Sequence, residues 1–272
     1  MAIVEIQDVS FPGAEPYFSL TDAQLRSRQT PENALFIAEG PKVVLTALAS
    51  GCTPVSLLMR RKFIDGPGAE IIDRCPDVPV YTGADETLSA LTGFRLQRSW
   101  VLGAFRRPPL RKAEDVIRGK RRIALLEGIT EPANVGAIFR SAAALGCEGI
   151  LLSPTCCDPL HRRAVRVCMG AVFTVPWAVT GTDCAIPLMK EEGFRVLALA
   201  LRENCLTLED PSLPKEKRLA VCLGTEDTGL TETVLSQCDA VVRIPMAAGI
   251  DSLNVAAASA VAFWQLRPGE NQ

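Results

Sequence analysis

Five short apolar runs with almost no polar alternation, at residues 123–126, 149–152, 195–200, 219–223 and 240–244, constrain this chain more than any other feature. A strand with one wet face alternates apolar and polar side chains, whereas a strand covered on both faces does not. Helical patterns separate the runs, at about 135–145, 160–168, 183–191, 231–237 and 253–266. Buried strands alternating with helices imply crossover connections and a parallel sheet, so the second half is predicted to be an α/β domain. In an open sheet of that kind ligands bind beyond the carboxyl ends of the strands. The loops after Leu126, Leu223 and Ile244 are therefore where chemistry is expected.

The first half reads as a smaller alternating α/β unit. Strands are expected at 35–38, 55–59, 78–81 and 100–104, and helical pieces at 22–28, 41–48, 70–74 and 85–91, with Pro41 suited to a first helical turn. Pro108 and Pro109 resist both helix and central strand, so the boundary is placed near residue 112. This gives domains 1–112 and 113–272, with a basic linker at about 106–122. The formal charge of −2 hides an asymmetry: residues 1–122 carry 17 Lys/Arg against 14 Asp/Glu, and the remainder 12 against 17. The excess gathers between Arg95 and Arg122, where only Glu114 and Asp115 oppose it, and that stretch suits a polyanion. Without another pointer to nucleic acid, a solvated linker would be the plainer account.

Several function classes drop out on composition. The apolar runs, such as 256–263, fall well short of the roughly 20 residues a membrane span needs, so no membrane role is expected. Residues 1–5 lack the basic and apolar regions of a signal peptide, so a cytoplasmic chain is expected. The ten cysteines form no C-x-x-C pair and read as reduced core thiols. A single histidine, His161, in a basic loop, leaves neither a His-based zinc site nor a Ser-His-Asp triad, and no metal is expected.

The first loop runs Glu127-Gly128-Ile129-Thr130-Glu131-Pro132-Ala133-Asn134-Val135-Gly136-Ala137-Ile138-Phe139-Arg140. Asn134 is the expected N-cap, and Ile138, Ala142 and Leu145 form the buried stripe of the helix that follows. Arg140 lies about 200° round from Ile138 and faces away from that stripe. The second loop, Leu223-Gly224-Thr225-Glu226-Asp227-Thr228-Gly229-Leu230, brings two glycines and two acids directly after a buried strand. It lacks the glycine spacings of dinucleotide and nucleotide phosphate sites, which argues against an oxidoreductase. The third runs from Ile244-Pro245-Met246 to Ser252-Leu253-Asn254-Val255-Ala256; Ser252 is the expected cap of the last helix, and Asn254 and the apolar character of the loop stay unexplained.

Together the three loops, in this order, resemble the motifs of the SpoU/TrmH family of RNA 2'-O-ribose methyltransferases, within the SPOUT superfamily. The likeness covers about residues 120–266 and includes Arg166-Val167-Cys168-Met169-Gly170-Ala171-Val172-Phe173, with Cys168 where Ser is commoner. More weakly, residues 35–59, with Ala38-Glu39-Gly40 and Lys42, resemble the ribosomal-protein-like domain that many members carry in front. The resemblance implies an α/β fold: a parallel-sheet SPOUT domain with a deep trefoil knot, preceded by a smaller ribosomal-protein-like domain that binds the RNA substrate.

It further implies S-adenosylmethionine as cofactor, held largely by backbone groups around Leu223, Gly224, Ile244, Met246 and Leu253. The reaction implied is methylation of a ribose 2'-hydroxyl in structured rRNA or tRNA rather than DNA, by a homodimer built on the catalytic domain. Catalytic roles carry over to Arg140, Asn134, Glu226, Ser252 and Asn254. A guanidinium is a poor base, so Arg140 is read as a clamp on a phosphate, with the others orienting it and the ribose. Arg106, Arg107 and Arg111 are the expected RNA contacts. A non-catalytic RNA-binding or ribosome-assembly factor of the same fold is the alternative, and damaged motifs would have marked it.

Overall fold

Alternating apolar and helix-forming segments give two compact units in the computed structural model of the chain, which describes residues 2–17, 34–93, 101–202, 205–247 and 252–268. The helix expected over 22–28, Arg95, Arg98 and residues 248–251 of the third loop lie outside the described residues. In chain order the elements are β1 (Ile3–Ile6), β2 (Leu35–Glu39), α1 (Pro41–Ala49), β3 (Pro54–Met59), α2 (Ala69–Asp73), β4 (Val80–Gly83), α3 (Asp85–Thr92) and β5 (Val101–Arg106). After Pro109 come α4 (Ala113–Ile117), β6 (Arg122–Leu126), α5 (Pro132–Leu145), β7 (Gly149–Leu152), α6 (Arg162–Val167), β8 (Trp177–Val179) and α7 (Thr182–Glu191). The chain closes with β9 (Arg195–Leu199), β10 (Leu206–Thr207), β11 (Leu219–Leu223), α8 (Glu232–Gln237), β12 (Ala240–Arg243) and α9 (Val255–Gln265).

The first unit joins residues 1–109 to residues 160–173. Its sheet runs β1-β4-β3-β5-β2, with β1, β4 and β3 parallel and β5 antiparallel to both β3 and β2. The chain turns from β2 into α1 at Gly40, whose φ of 94° suits glycine, and Pro41 occupies the first helical turn. The two-domain reading placed every residue after 112 in the second half, yet 160–173 packs with the first. The anchors explain both the packing and its invisibility in the sequence. Arg162 and Arg166 each reach the carboxylate of Glu39 at 3.3 Å, and the Glu39 side chain is only 4% exposed. A carboxylate buried so far needs paired cations. Phe173 packs on Phe36 with ring centroids 5.3 Å apart, and Phe36 stacks on Phe105. Glu39 and Arg162 are 123 positions apart in sequence. His161 accepts the Arg163 N–H at Nδ1 and caps α6.

The second unit, residues 110–159 and 174–272, is a parallel sheet ordered β10-β12-β9-β11-β6-β7-β8. Every residue of β6, β7 and β11 is buried, as their unbroken apolar runs require. On one face Leu125, Val196, Ala198, Ala220 and Cys222 pack against Val116 and Ile117 of α4, Ala185, Ile186 and Met189 of α7 and Val234 of α8. On the other, α9 packs against both α5 and β11. Arg122, counted with the basic stretch in the sequence reading, is not available to a polyanion. It is 5% exposed and donates to Leu266 O, Pro214 O and Arg121 O, which ties the end of α9 to the start of β6.

Candidate functional site

The loops after β9, β11 and β12 and the approach to α9 enclose a cavity of about 430 Å³, within the range of small-molecule sites. All five positions expected to hold a cofactor line it: Leu223, Gly224, Ile244, Met246 and Leu253. Leu230, Leu235 and Val255 add apolar surface, and Glu226 and Ser252 stand in the wall. The sequence reading missed one wall. Leu199 at the end of β9 and residues 200–202 after it also line the cavity, and Arg202 there pairs with Glu232. β9 lies beside β11 in the sheet, so the switch-point rule applied to every strand would have flagged that loop.

The second loop is a tight hairpin. Thr225 and Gly229 exchange backbone hydrogen bonds at 3.1 and 3.2 Å, and the Thr225 and Thr228 hydroxyls meet at 2.8 Å. Gly224 is required for this closure, because a Cβ there would stand 2.3 Å from the carbonyl carbon of Gly229.

At the rim three side chains from three separate segments of the chain come together. Asn134 Nδ2 donates to Glu226 Oε1 at 2.8 Å. Asn254 Nδ2 donates to the same oxygen and, at 3.1 Å, to Asn134 Oδ1. Asn134 and Asn254 are 120 positions apart, so only the fold makes this cluster. Two capping expectations are corrected by it. Asn134 does not cap α5: Pro132 takes the first helical position, Glu131 caps by accepting from Ala133 N, and Asn134 is left in the first turn with its side chain free for Glu226. Ser252 does not cap α9 either; Asn254 does, accepting from Ala256 N at 2.9 Å.

Arg140 is not part of the cluster. It lies six residues beyond Asn134 on α5, about 9 Å along the axis, exposed and without a hydrogen bond or ion pair among the described residues. Arg106 ends β5, Arg107 follows it and Arg111 lies just inside the second unit; Arg106 and Arg111 are exposed. The sequence reading also passed over Ser153, whose hydroxyl accepts the Gly128 N–H at 3.0 Å and supports the first loop.

An uncharacterized tRNA/rRNA methyltransferase of Mycobacterium bovis is 38% identical over 270 residues, covering 96% of this chain and 92% of that protein. A 23S rRNA (guanosine-2'-O-)-methyltransferase of a Burkholderia species is 31% identical over 182 residues, covering 65% of this chain and 72% of the other. The crystal structure of an AdoMet-bound rRNA methyltransferase from Sinorhizobium meliloti superposes with a TM-score of 0.82 at 26% identity, over 97% of both chains. Residues 121–264, which carry all three motif loops and the Asn134, Glu226 and Asn254 cluster, match the SpoU rRNA Methylase family, and the chain belongs to that family.

Proposed function

We propose that the cavity holds S-adenosylmethionine and that the chain methylates a ribose 2'-hydroxyl of structured rRNA or tRNA. The observation that carries this reading is the convergence of Asn134, Glu226 and Asn254 beside an apolar cavity whose walls are the second and third motif loops. The donor set fits the cofactor. Leu223, Ile244, Met246 and Leu253 offer apolar surface to an adenine, and the Gly224 turn brings bare backbone to the cavity wall. The bound cofactor supplies a methyl group on a sulfonium. The chain's own residues then have to place the ribose and stabilise charge as the hydroxyl loses its proton. Asn134 and Asn254 spend amide N–H groups on one oxygen of Glu226, which fixes the carboxylate in one orientation and leaves its second oxygen without a partner among the described residues. Ser252 and that oxygen are the groups assigned to orient the ribose, and Arg140 is the clamp on the adjoining phosphate. Retention of labelled S-adenosylmethionine but not NAD by the purified chain, followed by mapping of 2'-O-methyl sites lost from a deletion strain's RNA, tests the reading. Retention of neither overturns it.

The same reading includes the trefoil knot and a cytoplasmic location. β11 inserts between β9 and β6, and β12 between β10 and β9, a connectivity compatible with threading of the last segment. All ten cysteines are free thiols, as in a reducing compartment, and no described helix is long and apolar enough to cross a membrane.

It also includes a homodimer. The exposed side of α9 presents Ala257, Val261 and Trp264 at helical spacing, with Val261 41% and Trp264 54% exposed. Replacing Val261 and Trp264 together by Asp is expected to leave a monomer of about half the wild-type mass in light scattering at micromolar concentration. A wild type that is already a 29.3 kDa monomer under those conditions contradicts the dimer.

RNA selection is assigned to residues 1–112 with the basic linker, and cofactor binding to residues 113–272. Aromatic residues make up only 6% of the chain, which favours folded RNA read through phosphates and shape over stacked single strands. If about four phosphates are neutralised, the slope of log K against log salt should be roughly −3 to −4. Reversing the charge of Arg106, Arg107 and Arg111 in the whole chain should flatten it, as followed by fluorescence anisotropy. A slope the triple variant leaves unchanged removes these arginines from the interface.

A further inference from the structure

Glu127 does not line the cavity, yet it touches both ends of the loop that does. It is the first residue after β6, and its backbone N–H donates to Leu223 O at 2.9 Å, where the chain leaves β11. Its carboxylate accepts at the far end of the same loop, from Thr231 N at 2.9 Å and from Thr231 Oγ1 at 2.8 Å. Between these points the hairpin of residues 224–230 is closed on itself by the Thr225 to Gly229 bonds, which fix its shape but not its seat on the sheet. Thr231 Oγ1 also accepts the Val234 N–H at 3.3 Å, so its single proton is committed to Glu127 and only one hydroxyl orientation satisfies both contacts. Bonds to a charged acceptor are about twice as strong as neutral ones.

We propose that Glu127 is a positioning residue that seats the second motif loop, holding it at both ends so that Leu223, Gly224 and Leu230 face the cofactor without further ordering. The proposal rests on the reading of the cavity as the S-adenosylmethionine site. A loop released at one end samples more conformations, and binding then has to select the seated one, so the cost falls on affinity rather than on the chemical step once the cofactor is bound.

The test uses the whole chain. Glu127→Ala is expected to raise the Kd for S-adenosylmethionine, by calorimetric titration, about tenfold or more, with kcat at saturating cofactor within about threefold of wild type. In the ligand-free protein, hydrogen exchange of the 224–231 amides should quicken while that of β6 and β11 stays slow. Glu127→Gln keeps one acceptor for the Thr231 N–H and a donor for the Thr231 hydroxyl, so it should restore most of the affinity. Thr231→Val removes the hydroxyl contact but keeps the backbone N–H bond to Glu127, so it should reproduce only part of the loss seen in Glu127→Ala, and the double variant should be no weaker than Glu127→Ala alone. Wild-type affinity in a folded Glu127→Ala protein, a loss confined to kcat, or unaltered exchange of 224–231 would each overturn the proposal. A wild type that fails to bind S-adenosylmethionine indicts the cofactor reading instead, and the exchange measurement still decides whether Glu127 seats the loop.

Discussion

Arg140→Ala is expected to lower methyl transfer about 100- to 1,000-fold while leaving the Kd for S-adenosylmethionine within about twofold of wild type. The reasoning starts from where the side chain is. Arg140 is exposed on α5, is absent from the cavity wall and makes no contact with Asn134, Glu226 or Asn254. A role in holding the cofactor has no geometric support, so affinity should not move. A guanidinium stays charged at any working pH and presents a planar fork that fits a phosphate, which suits it to stabilise a developing alkoxide through the neighbouring phosphodiester. Arg140→Lys keeps the charge but loses the fork and should recover only part of the rate. Titration of the cofactor together with single-turnover methylation of RNA separates the two quantities. Normal turnover by Arg140→Ala removes Arg140 from the mechanism, and a parallel loss of cofactor affinity would place it in the binding site.

The buried strands were the most legible part of this chain. The run at 149–152 and the run at 219–223 match β7 and β11 residue for residue, because a strand covered on both faces leaves an unbroken apolar signal. The three-residue β8 and the two-residue β10 went unseen, since so few residues carry no periodicity. The five positions expected to hold the cofactor came from the motifs, and all five line one cavity. The caps were misread for a physical reason: Asn, Ser and Glu can all accept from a first-turn N–H, and only the seat of Pro132 and the pull of Glu226 on Asn134 decide between them. Arg122 read as one more charge in a basic run because nothing in the sequence reports that Leu266 O, 144 positions later, waits for its Nε. Glu127 was quoted as the start of a loop and given no role, because its partner Thr231 is 104 positions away and looks like an ordinary helix cap. Long-range polar pairing is what a single sequence hides, and in this chain it gathers Asn134, Glu226 and Asn254, ties the end of the second motif loop to Glu127 and joins residues 160–173 to the first unit.

Gly224→Ala should be the most damaging single-methyl change in the cavity assigned to the cofactor. An alanine Cβ at 224 would lie 2.3 Å from Gly229 C, 2.4 Å from Gly229 O and 2.5 Å from Leu230 N. All three are backbone atoms, so no rotamer change relieves the overlap, and the hairpin must open by breaking the Thr225 to Gly229 bonds. Overpacking of this kind costs about 1–3 kcal/mol, and if the strain is released only by displacing the loop from the cavity wall, the Kd for S-adenosylmethionine should rise about 10- to 100-fold. Gly229→Ala is the internal contrast. Its φ of 69° is unfavourable for alanine, but nothing lies within 4 Å of the added Cβ. The penalty there is a local one of about 1–2 kcal/mol for the left-handed conformation, borne in free and bound protein alike. Stability measured by thermal melting should therefore fall in both variants, whereas affinity measured by calorimetry should fall steeply only in Gly224→Ala. Equal affinity in the two variants would show that the 224–230 hairpin yields without consequence for the ligand, and the assignment of this cavity to the cofactor would have to be withdrawn.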